Sequence, residues 1–241
     1  MHETKIKDYH NLLRRLGVPS GANIMVHADL RAFGKVEGGF NTIIDELLNI
    51  VGEEGMIVTP SFTFTFPDTF HLLKSQSKIG ALTTLFGKHP GVVRVPDGMT
   101  SYYILGKKAK NLIENWDNSS YGEHSIVGQM LDLDGYILQF DTEILSLIHY
   151  VEQLVGVPYR ELKQFKGKIN DGNKTYKSFT NFYARVKSVK KIIPDPIRSK
   201  YYEEKARTEL INGRVIRFFK IRGFVDFAKD RLTENNMLLV E

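Results

Sequence analysis

The 241-residue chain contains no cysteine. Disulfide bonds, thiolate-bound zinc and an acyl intermediate on a protein sulfur are therefore excluded. No apolar run reaches the roughly 18 residues that a transmembrane helix needs. The polar N-terminus also lacks the apolar core of a signal peptide. Together these absences lead us to expect a cytoplasmic protein.

Several common functional motifs are missing as well. The sequence has no P-loop, no Gly-x-Gly-x-x-Gly, no Gly-x-Ser-x-Gly and no signature of a nucleic-acid-binding module. No second cluster of His, Asp and Glu with the spacing of metal ligands stands out, so we expect no metal.

Charge is distributed unevenly along the chain, whose net charge is +5. Residues 1–159 carry 13 basic and 18 acidic side chains, whereas residues 160–241 carry 20 and 10. A basic final third indicates an anionic partner, such as nucleic acid, a phosphorylated cofactor or a nucleotide-linked substrate. A plain solvated surface is the alternative.

Hydrophobic periodicity predicts a helix, a strand, a helix and a strand in the first 60 residues. This order favours an α/β fold: a three-layer α/β/α core with a mostly parallel central sheet. The last third alternates polar with apolar residues and predicts an α+β appendage. We expect one domain over residues 1–241, with a core over 1–160 and a basic subdomain over 161–241. The predicted helices are 4–16, 40–51, 80–88, 106–115, 144–155, 199–211 and 224–232, and the predicted strands are 23–27, 55–59, 92–95, 135–140, 174–187 and 215–221.

His149 and Glu152 lie three residues apart on the predicted helix 144–155. Helical geometry places them on one face. A His beside a carboxylate is typical of a general base. A surface ion pair is the alternative, because this spacing is common by chance.

Polar side chains also follow the predicted strands. His27 ends the first strand, and Thr59, Ser61 and Thr63 follow the second. In an open α/β sheet, ligands bind at the carboxyl ends of the strands. Asp97 occupies a similar place after a third strand. These segments are either connecting turns or parts of a ligand site.

Together these segments resemble the aminoglycoside 3-N-acetyltransferase family, whose members use acetyl-CoA and do not have the GNAT fold. The resemblance extends over residues 10–170, with a looser match to the end of the chain. The matching pieces are Leu16-Gly17-Val18, Gly21, Val26-His27-Ala28-Asp29-Leu30-Arg31, Gly34-x-Val36-x-Gly38-Gly39, Val51-Gly52-x-x-Gly55, Thr59-Pro60-Ser61-Phe62-Thr63, Gly80-Ala81-Leu82, Pro90-Gly91-Val92-x-Arg94, Ser101, Gly106, Ala109, Ser125, His149-x-x-Glu152 and Val157-Pro158-Tyr159-Arg160.

The resemblance implies transfer of an acetyl group from acetyl-CoA to a primary amine of an amino sugar. It implies that His149 is the catalytic base and that Glu152 orients it or binds the ammonium. It also implies a CoA channel formed by His27, Ala28, Asp29, Leu30, Arg31, Phe33, Thr59, Ser61, Thr63 and Ser101. The acceptor site implied in the same way contains Asp97, Glu152, Tyr159 and Arg160.

The chain departs from the family pattern near the acceptor site. Asp97 stands where many resistance enzymes of the family have His, Leu145-Ser146 replaces the usual Asn-Thr, and Thr84 replaces a common acidic residue. These differences favour a nucleotide-linked amino sugar of a polysaccharide pathway over a bulky aminoglycoside antibiotic.

Three alternatives remain at this stage: an antibiotic 3-N-acetyltransferase, a non-catalytic CoA- or sugar-binding homologue, and a nucleic-acid-binding protein. We expect no nucleic acid partner, because the first two thirds of the chain are acidic. A homodimer is compatible with the sequence.

Overall fold

The computed structural model describes residues 3–143 and 145–241. Ile144, the first residue of one predicted helix, lies outside the described residues. The strands are β1 (Glu3–Thr4), β2 (Asn23–Ala28), β3 (Lys35–Val36), β4 (Met56–Pro60), β5 (Thr69–His71), β6 (Val93–Arg94), β7 (Tyr102–Gly106), β8 (Tyr136–Phe140), β9 (Arg160–Asn170), β10 (Thr175–Arg185), β11 (Arg207–Ile211) and β12 (Arg214–Lys220). The helices are α1 (Ile6–Arg15), α2 (Asn41–Val51), α3 (Ala81–Phe86), α4 (Ala109–Glu114), α5 (Ile126–Asp132), α6 (Leu147–Val155), α7 (Pro196–Glu204) and α8 (Ile221–Glu234).

The main sheet has the strand order β11-β12-β8-β2-β4-β7-β6 within the described residues. The central strands β8, β2 and β4 are parallel, and antiparallel pairs extend the sheet on both sides. The prediction of a mostly parallel sheet was therefore wrong, because the sheet is mixed. The connections explain this result: short links such as the one between β6 and β7 cannot form the crossover that parallel neighbours require.

Two expectations for the C-terminal third were wrong, the separation of residues 207–220 from the main sheet and the helix over 199–211. β12 pairs with β8, so residues 207–220 continue the main sheet and do not form a separate appendage. The predicted helix 199–211 is instead α7 followed by β11. Asn212 and Gly213 both have positive φ values, 51° and 73°. This is the backbone of a two-residue hairpin turn, which forces β11 and β12 to pair antiparallel.

A smaller sheet with the order β10-β9-β5 lies outside the main sheet. The long antiparallel hairpin β9–β10 forms most of it, and β5 pairs parallel to the end of β9. The alternation at residues 174–187 correctly predicted β10. β9 was not predicted, because its sequence is mostly polar and exposed.

The two faces of the main sheet pack against different cores. Ile24 and Val26 of β2 belong to a cluster with residues of α1, α2 and α3, whereas Met25 belongs to a cluster with residues of α5, α6 and α8. This alternation follows from the two-residue period of a strand. Within the described residues, no helix is both long and apolar enough to cross a membrane.

Candidate active site

His149 and Glu152 form a close pair on α6. Oε2 of Glu152 lies 2.5 Å from Nδ1 of His149. The carboxylate is almost fully buried, with 4% of its side chain exposed, whereas the imidazole is 25% exposed. The helix ends one turn later and is followed by Gly156, whose φ of 71° favours glycine. A partly exposed imidazole thus contacts a buried carboxylate.

Arg160, the first residue of β9, completes this group. Its Nε lies 2.7 Å from Oε2 of Glu152, and its Nη2 lies 2.8 Å from Nδ1 of His149. Its Nη1 donates to the carbonyl oxygen of Tyr183 on β10. Nδ1 of His149 thus faces both an acceptor, the Glu152 carboxylate, and a donor, the Arg160 guanidinium. The closer carboxylate favours the tautomer with the proton on Nδ1, in which the lone pair is on Nε2 and the Arg160 contact at Nδ1 is not a hydrogen bond.

The pKa values of His149 and Glu152 leave the imidazole able to accept a proton at neutral pH. Burial lowers the pKa of His149, and the hydrogen bond with Glu152 only partly opposes that effect. Burial by itself would raise the pKa of Glu152, but His149 and Arg160 together outweigh it and hold that pKa below its ordinary value. At neutral pH the pair is therefore a neutral imidazole beside a carboxylate.

Two tyrosines surround the pair. The ring of Tyr121 packs edge-on against His149 with the centroids 5.3 Å apart. Burial, together with the nearby Glu152 carboxylate, raises the pKa of the buried Tyr159 hydroxyl. The predicted residues His149, Glu152, Tyr159 and Arg160 thus form one cluster, whereas Tyr121 was not predicted.

His27 lies at the end of β2 and is 4% exposed. Within the described part of the chain, neither ring nitrogen has a hydrogen-bond partner. Burial lowers the pKa of His27 to about 4, so the ring is neutral at physiological pH. The ring lines a small recess of about 40 Å³ together with Thr59, Gly80 and Thr83.

The residues that follow His27 differ in their surroundings. Asp29 accepts a hydrogen bond from the backbone of Arg31 and forms an ion pair with the exposed Arg31 guanidinium. Ala28 and Leu30 are half-buried. Phe33 is fully buried against Tyr9 and Phe140, so its side chain belongs to the core. A contact of Phe33 with CoA would have to use its backbone.

Ser61 and Ser101 are buried around Arg94, a residue that we did not predict as part of the site. Nε of Arg94 donates to both hydroxyl oxygens at 3.2 Å. Its Nη1 donates to the carbonyl oxygens of Leu72 and Ser75. The guanidinium also stacks on Phe70 and Tyr103, 4.8 and 4.7 Å from the ring centroids. Arg94 therefore fixes the loop that follows β4.

The polar groups of this loop are largely paired. The backbone N–H of Ser61 donates to the Ser101 carbonyl oxygen, and that of Thr63 donates to Met99. The Thr63 hydroxyl donates to Gly98, and the Ser101 hydroxyl donates to Val95. A ligand contact by these donors would require them to give up protein partners.

Asp97 is 1% exposed. Its oxygens accept hydrogen bonds from the Met99 backbone at 2.7 Å, from the Thr100 hydroxyl at 2.8 Å and from the Thr180 hydroxyl at 2.7 Å. Burial raises the pKa of Asp97 above its ordinary value, and these hydrogen bonds offset only part of that rise. This geometry favours a positioning role over direct contact with an amine. Within the described residues, no cluster of three or more potential metal ligands occurs.

The sequence profile of the aminoglycoside 3-N-acetyltransferases matches residues 25–233. The chain therefore belongs to this family of acetyl-CoA-dependent N-acetyltransferases. It is 27% identical over 193 residues to aminoglycoside N(3)-acetyltransferase VII of Streptomyces paromomycinus, covering 69% of this chain and 67% of that protein. It is 23% identical to the aminoglycoside N(3')-acetyltransferase-like protein YokD of Bacillus subtilis, covering 93% and 90% of the two chains.

The fold matches a solved structure of AAC-IIIb in binary complex with CoASH. The TM-score is 0.82 at 20% identity, and 97% of each chain is covered. This likeness confirms the mixed α/β fold. Membership of the family establishes acetyl-CoA as the co-substrate.

Proposed function

We propose that this acetyltransferase acylates the primary amine of a nucleotide-linked amino sugar, with His149 as the general base. The observation that carries the base assignment is the contact of Nδ1 of His149 with the buried Glu152 carboxylate. That contact directs the lone pair of the imidazole to Nε2. His149 is also partly exposed, so an amine has access to the ring.

The base is needed because an ammonium ion is not a nucleophile. One proton must leave the nitrogen before or during its attack on the thioester carbon. Nε2 of His149 accepts this proton, and the Glu152 carboxylate stabilises the imidazolium that results. Because the chain has no cysteine, direct transfer from acetyl-CoA to the amine is the simplest course. The amine nitrogen forms a bond to the acetyl carbon, the C–S bond breaks, and CoA leaves as a thiolate that takes the proton from the His149 imidazolium.

The ends of β2 and β4 fit the acyl-pantetheine arm of the donor. The arm carries amides and a thioester, which are neutral groups that hydrogen-bond. Among the residues that the structure describes, neither ring nitrogen of His27 has a partner at this recess, and a buried polar group without a partner is costly unless a ligand or water satisfies it. Of the implied CoA residues, His27 and Thr59 therefore have the surroundings that best support direct contact.

The acceptor proposal rests on departures from the family pattern. Asp97 is buried in a hydrogen-bond network, and Leu145 is an apolar residue that is 3% exposed. Neither offers a free charge to a polycationic antibiotic. The second candidate is an aminoglycoside antibiotic, because the curated relatives carry that name.

Release of free CoA thiol from acetyl-CoA, measured with a panel of amines, tests this function. The panel contains kanamycin-like aminoglycosides, free amino sugars and nucleotide-linked amino sugars. We expect the highest kcat/KM with the nucleotide-linked group. Turnover confined to the aminoglycosides would refute our acceptor assignment. Binding of CoA without turnover of any amine would favour a non-catalytic homologue.

A further inference from the structure

Phe64 has a backbone conformation that aromatic residues rarely adopt. It follows β4 in the chain and has a φ of 47°. Among the residues that the structure describes, the other non-glycine residues with a positive φ are Asn118, Asp134, Asp141 and Asn212. Asn and Asp tolerate this left-handed region, whereas a bulky side chain is strained there. Such strain is concentrated at functional sites, so Phe64 is a candidate for a functional residue.

Hydrogen bonds on both sides of Phe64 hold its backbone in this conformation. The N–H groups of Thr63 and Phe64 both donate to the carbonyl oxygen of Met99 at 3.1 Å. The N–H group of Thr65 donates to the carbonyl oxygen of Gly98 at 2.7 Å. Three consecutive N–H groups therefore point at one neighbouring segment, which requires a sharp turn of the chain. The conformation is thus fixed by backbone hydrogen bonds that do not involve the ring.

The Phe64 ring contributes little to the core. It is 43% exposed, whereas its neighbour Phe62 is 7% exposed. A single exposed apolar side chain is ordinary on a protein surface. At Phe64, however, the exposure is combined with backbone strain, and stability alone would favour glycine or asparagine at such a position. A ligand that covers the ring accounts for both features.

Further aromatic rings lie between Phe64 and the base. The ring centroid of Phe64 is 6.4 Å from that of Phe182, which is 5.6 Å from that of Tyr121. Tyr121 in turn packs on His149. Phe165 lies 6.0 Å from Phe182, and both of these rings are half-buried. Phe64, Phe165 and Phe182 therefore form an aromatic wall with exposed apolar surface, and Tyr121 connects this wall to the base.

The aromatic wall is on the acceptor side of the candidate site. On β10, Phe182 lies between Thr180 and Tyr183 in the sequence. The Thr180 hydroxyl donates to Asp97. The Tyr183 carbonyl oxygen accepts from Arg160. Asp97 and Arg160 are residues of the acceptor site that the family resemblance implies. The recess at the ends of β2 and β4, which we assign to the donor, is lined by other residues.

We infer that Phe64 is a specificity-determining residue, whose ring stacks on the apolar face of the acceptor. The inference rests on the proposed function, because it needs an acceptor that carries a flat apolar surface. A nucleotide-linked amino sugar has two such surfaces, the nucleobase and the carbon–hydrogen face of the sugar ring. Both gain dispersion and apolar contact on an aromatic ring. The fixed backbone keeps the ring in place before the acceptor arrives, which reduces the entropy that binding costs.

The test compares two variants that both remove the ring. Phe64→Ala keeps a Cβ atom at the strained position, whereas Phe64→Gly relieves the strain. We expect each to raise the KM for the best amine of the panel about tenfold, because stacking is lost, and to leave the KM for acetyl-CoA unchanged. Phe64→Trp keeps a ring and should restore the KM of the parent. The matched control is Tyr176→Ala, which removes an exposed ring near the start of β10 and should change neither KM.

Stability distinguishes a strained functional ring from a structural one. Glycine is ordinarily less favourable than alanine within regular structure, but the order reverses at a positive φ. Urea unfolding should therefore show that Phe64→Gly is more stable than Phe64→Ala. The reverse order would refute the strain, and with it the inference. An unchanged KM for the amine in both variants, or a rise confined to the KM for acetyl-CoA, would also overturn it.

A shorter acceptor identifies the stacked group. With the amino sugar 1-phosphate, which lacks the nucleoside, a KM that still rises in Phe64→Gly indicates the sugar face, and a KM that no longer rises indicates the base. Both results support the inference. If aminoglycosides prove the best amines, our acceptor assignment fails, but the same variants assayed with them still test Phe64. If no amine is acetylated, calorimetry of the CoA-loaded protein with UDP-glucosamine and with kanamycin decides. Weaker binding of either in Phe64→Gly supports the inference, and no difference refutes it.

Discussion

The carboxylate of Asp97 accepts a 2.7 Å hydrogen bond from the hydroxyl of Thr180, 83 residues further along the chain. This contact joins the loop after β6 to β10. Through Thr100 the same network reaches the hydroxyl of Ser120, which directly precedes Tyr121. Tyr121 packs on His149. Asp97 is thereby connected to the base through the elements that surround it.

Replacing Asp97 should destabilise the fold. Asp97→Ala leaves three buried donors without their acceptor, and we expect a loss of about 3 kcal/mol or more in the free energy of unfolding, measured in urea. Thr180→Val removes one hydrogen bond and should cost about 1 kcal/mol. A rise in the KM for the amine in Asp97→Asn, without any loss of stability, would instead establish direct substrate contact.

Removing the imidazole of His149 should reduce kcat. We expect His149→Ala to lower kcat by about 10²–10⁴-fold, because no group remains to accept the proton of the amine. Steady-state kinetics at saturating acetyl-CoA would measure this loss. A kcat within about threefold of the parent would show that another group is the base.

The pH profile of kcat/KM offers an independent check on the pair. His149 must be neutral to act, and burial lowers its pKa. Activity should therefore fall only at pH values below the ordinary histidine pKa of about 6.5. Glu152→Gln removes a hydrogen bond that raises the His149 pKa, so the acid limb should move to lower pH. Movement to higher pH would contradict the assigned contact.

His27 should make stability depend on pH. Its pKa is about 4 in the folded chain and about 6.5 in an ordinary histidine, so below pH 6.5 the unfolded chain binds a proton that the folded chain excludes. Stability should fall by about 2 kcal/mol between pH 6.5 and pH 5 from this residue. His27→Gln should remove this part of the slope.

The matched control for His27 is His124→Gln, because His124 is exposed. It removes an exposed imidazole and should leave the part of the slope that His27 causes in place. Urea unfolding at several pH values measures all three proteins. Equal slopes in the parent and His27→Gln would show that the buried ring titrates normally.

Arg94 should be irreplaceable by lysine. Its guanidinium donates to two hydroxyls and to the carbonyl oxygens of Leu72 and Ser75, and a single ammonium cannot reach all of them. We expect Arg94→Lys to cost at least about 2 kcal/mol of stability. Arg185→Lys, at an exposed position, should cost almost nothing. Equal stability of the two variants would mean that Arg94 does not anchor the loop.

Local periodicity predicted the first half of the fold well. Helices 4–16 and 40–51 and strands 23–27 and 55–59 all exist, with shifts of one or two residues at their ends. Each of these elements has a strong apolar pattern and a glycine or proline near its boundary. Strand direction was not predictable in this way, because it depends on how distant segments pair.

The sequence contains a signal that argues against the helix predicted over residues 199–211. Asn212-Gly213 between two apolar-rich segments is a strong hairpin signature, which indicates a strand on each side, whereas the helical periodicity that begins at residue 199 predicted a helix up to residue 211. In the site, the spacing of His149 and Glu152 predicted their contact. The position of Arg160 beside Nδ1 and the network of Arg94 required the tertiary structure, because each brings together residues of different elements.

Arg160 is both the first residue of β9 and a direct neighbour of His149 and Glu152. No flexible linker therefore separates the hairpin from the base. A ligand that displaced the Arg160 guanidinium together with β9 would change the affinity of His149 for its proton, because that guanidinium lies 2.8 Å from Nδ1. By thermodynamic linkage, protonation of His149 would then change the affinity for such a ligand by the same factor. Movement of the hairpin and proton uptake at the base are coupled in this way.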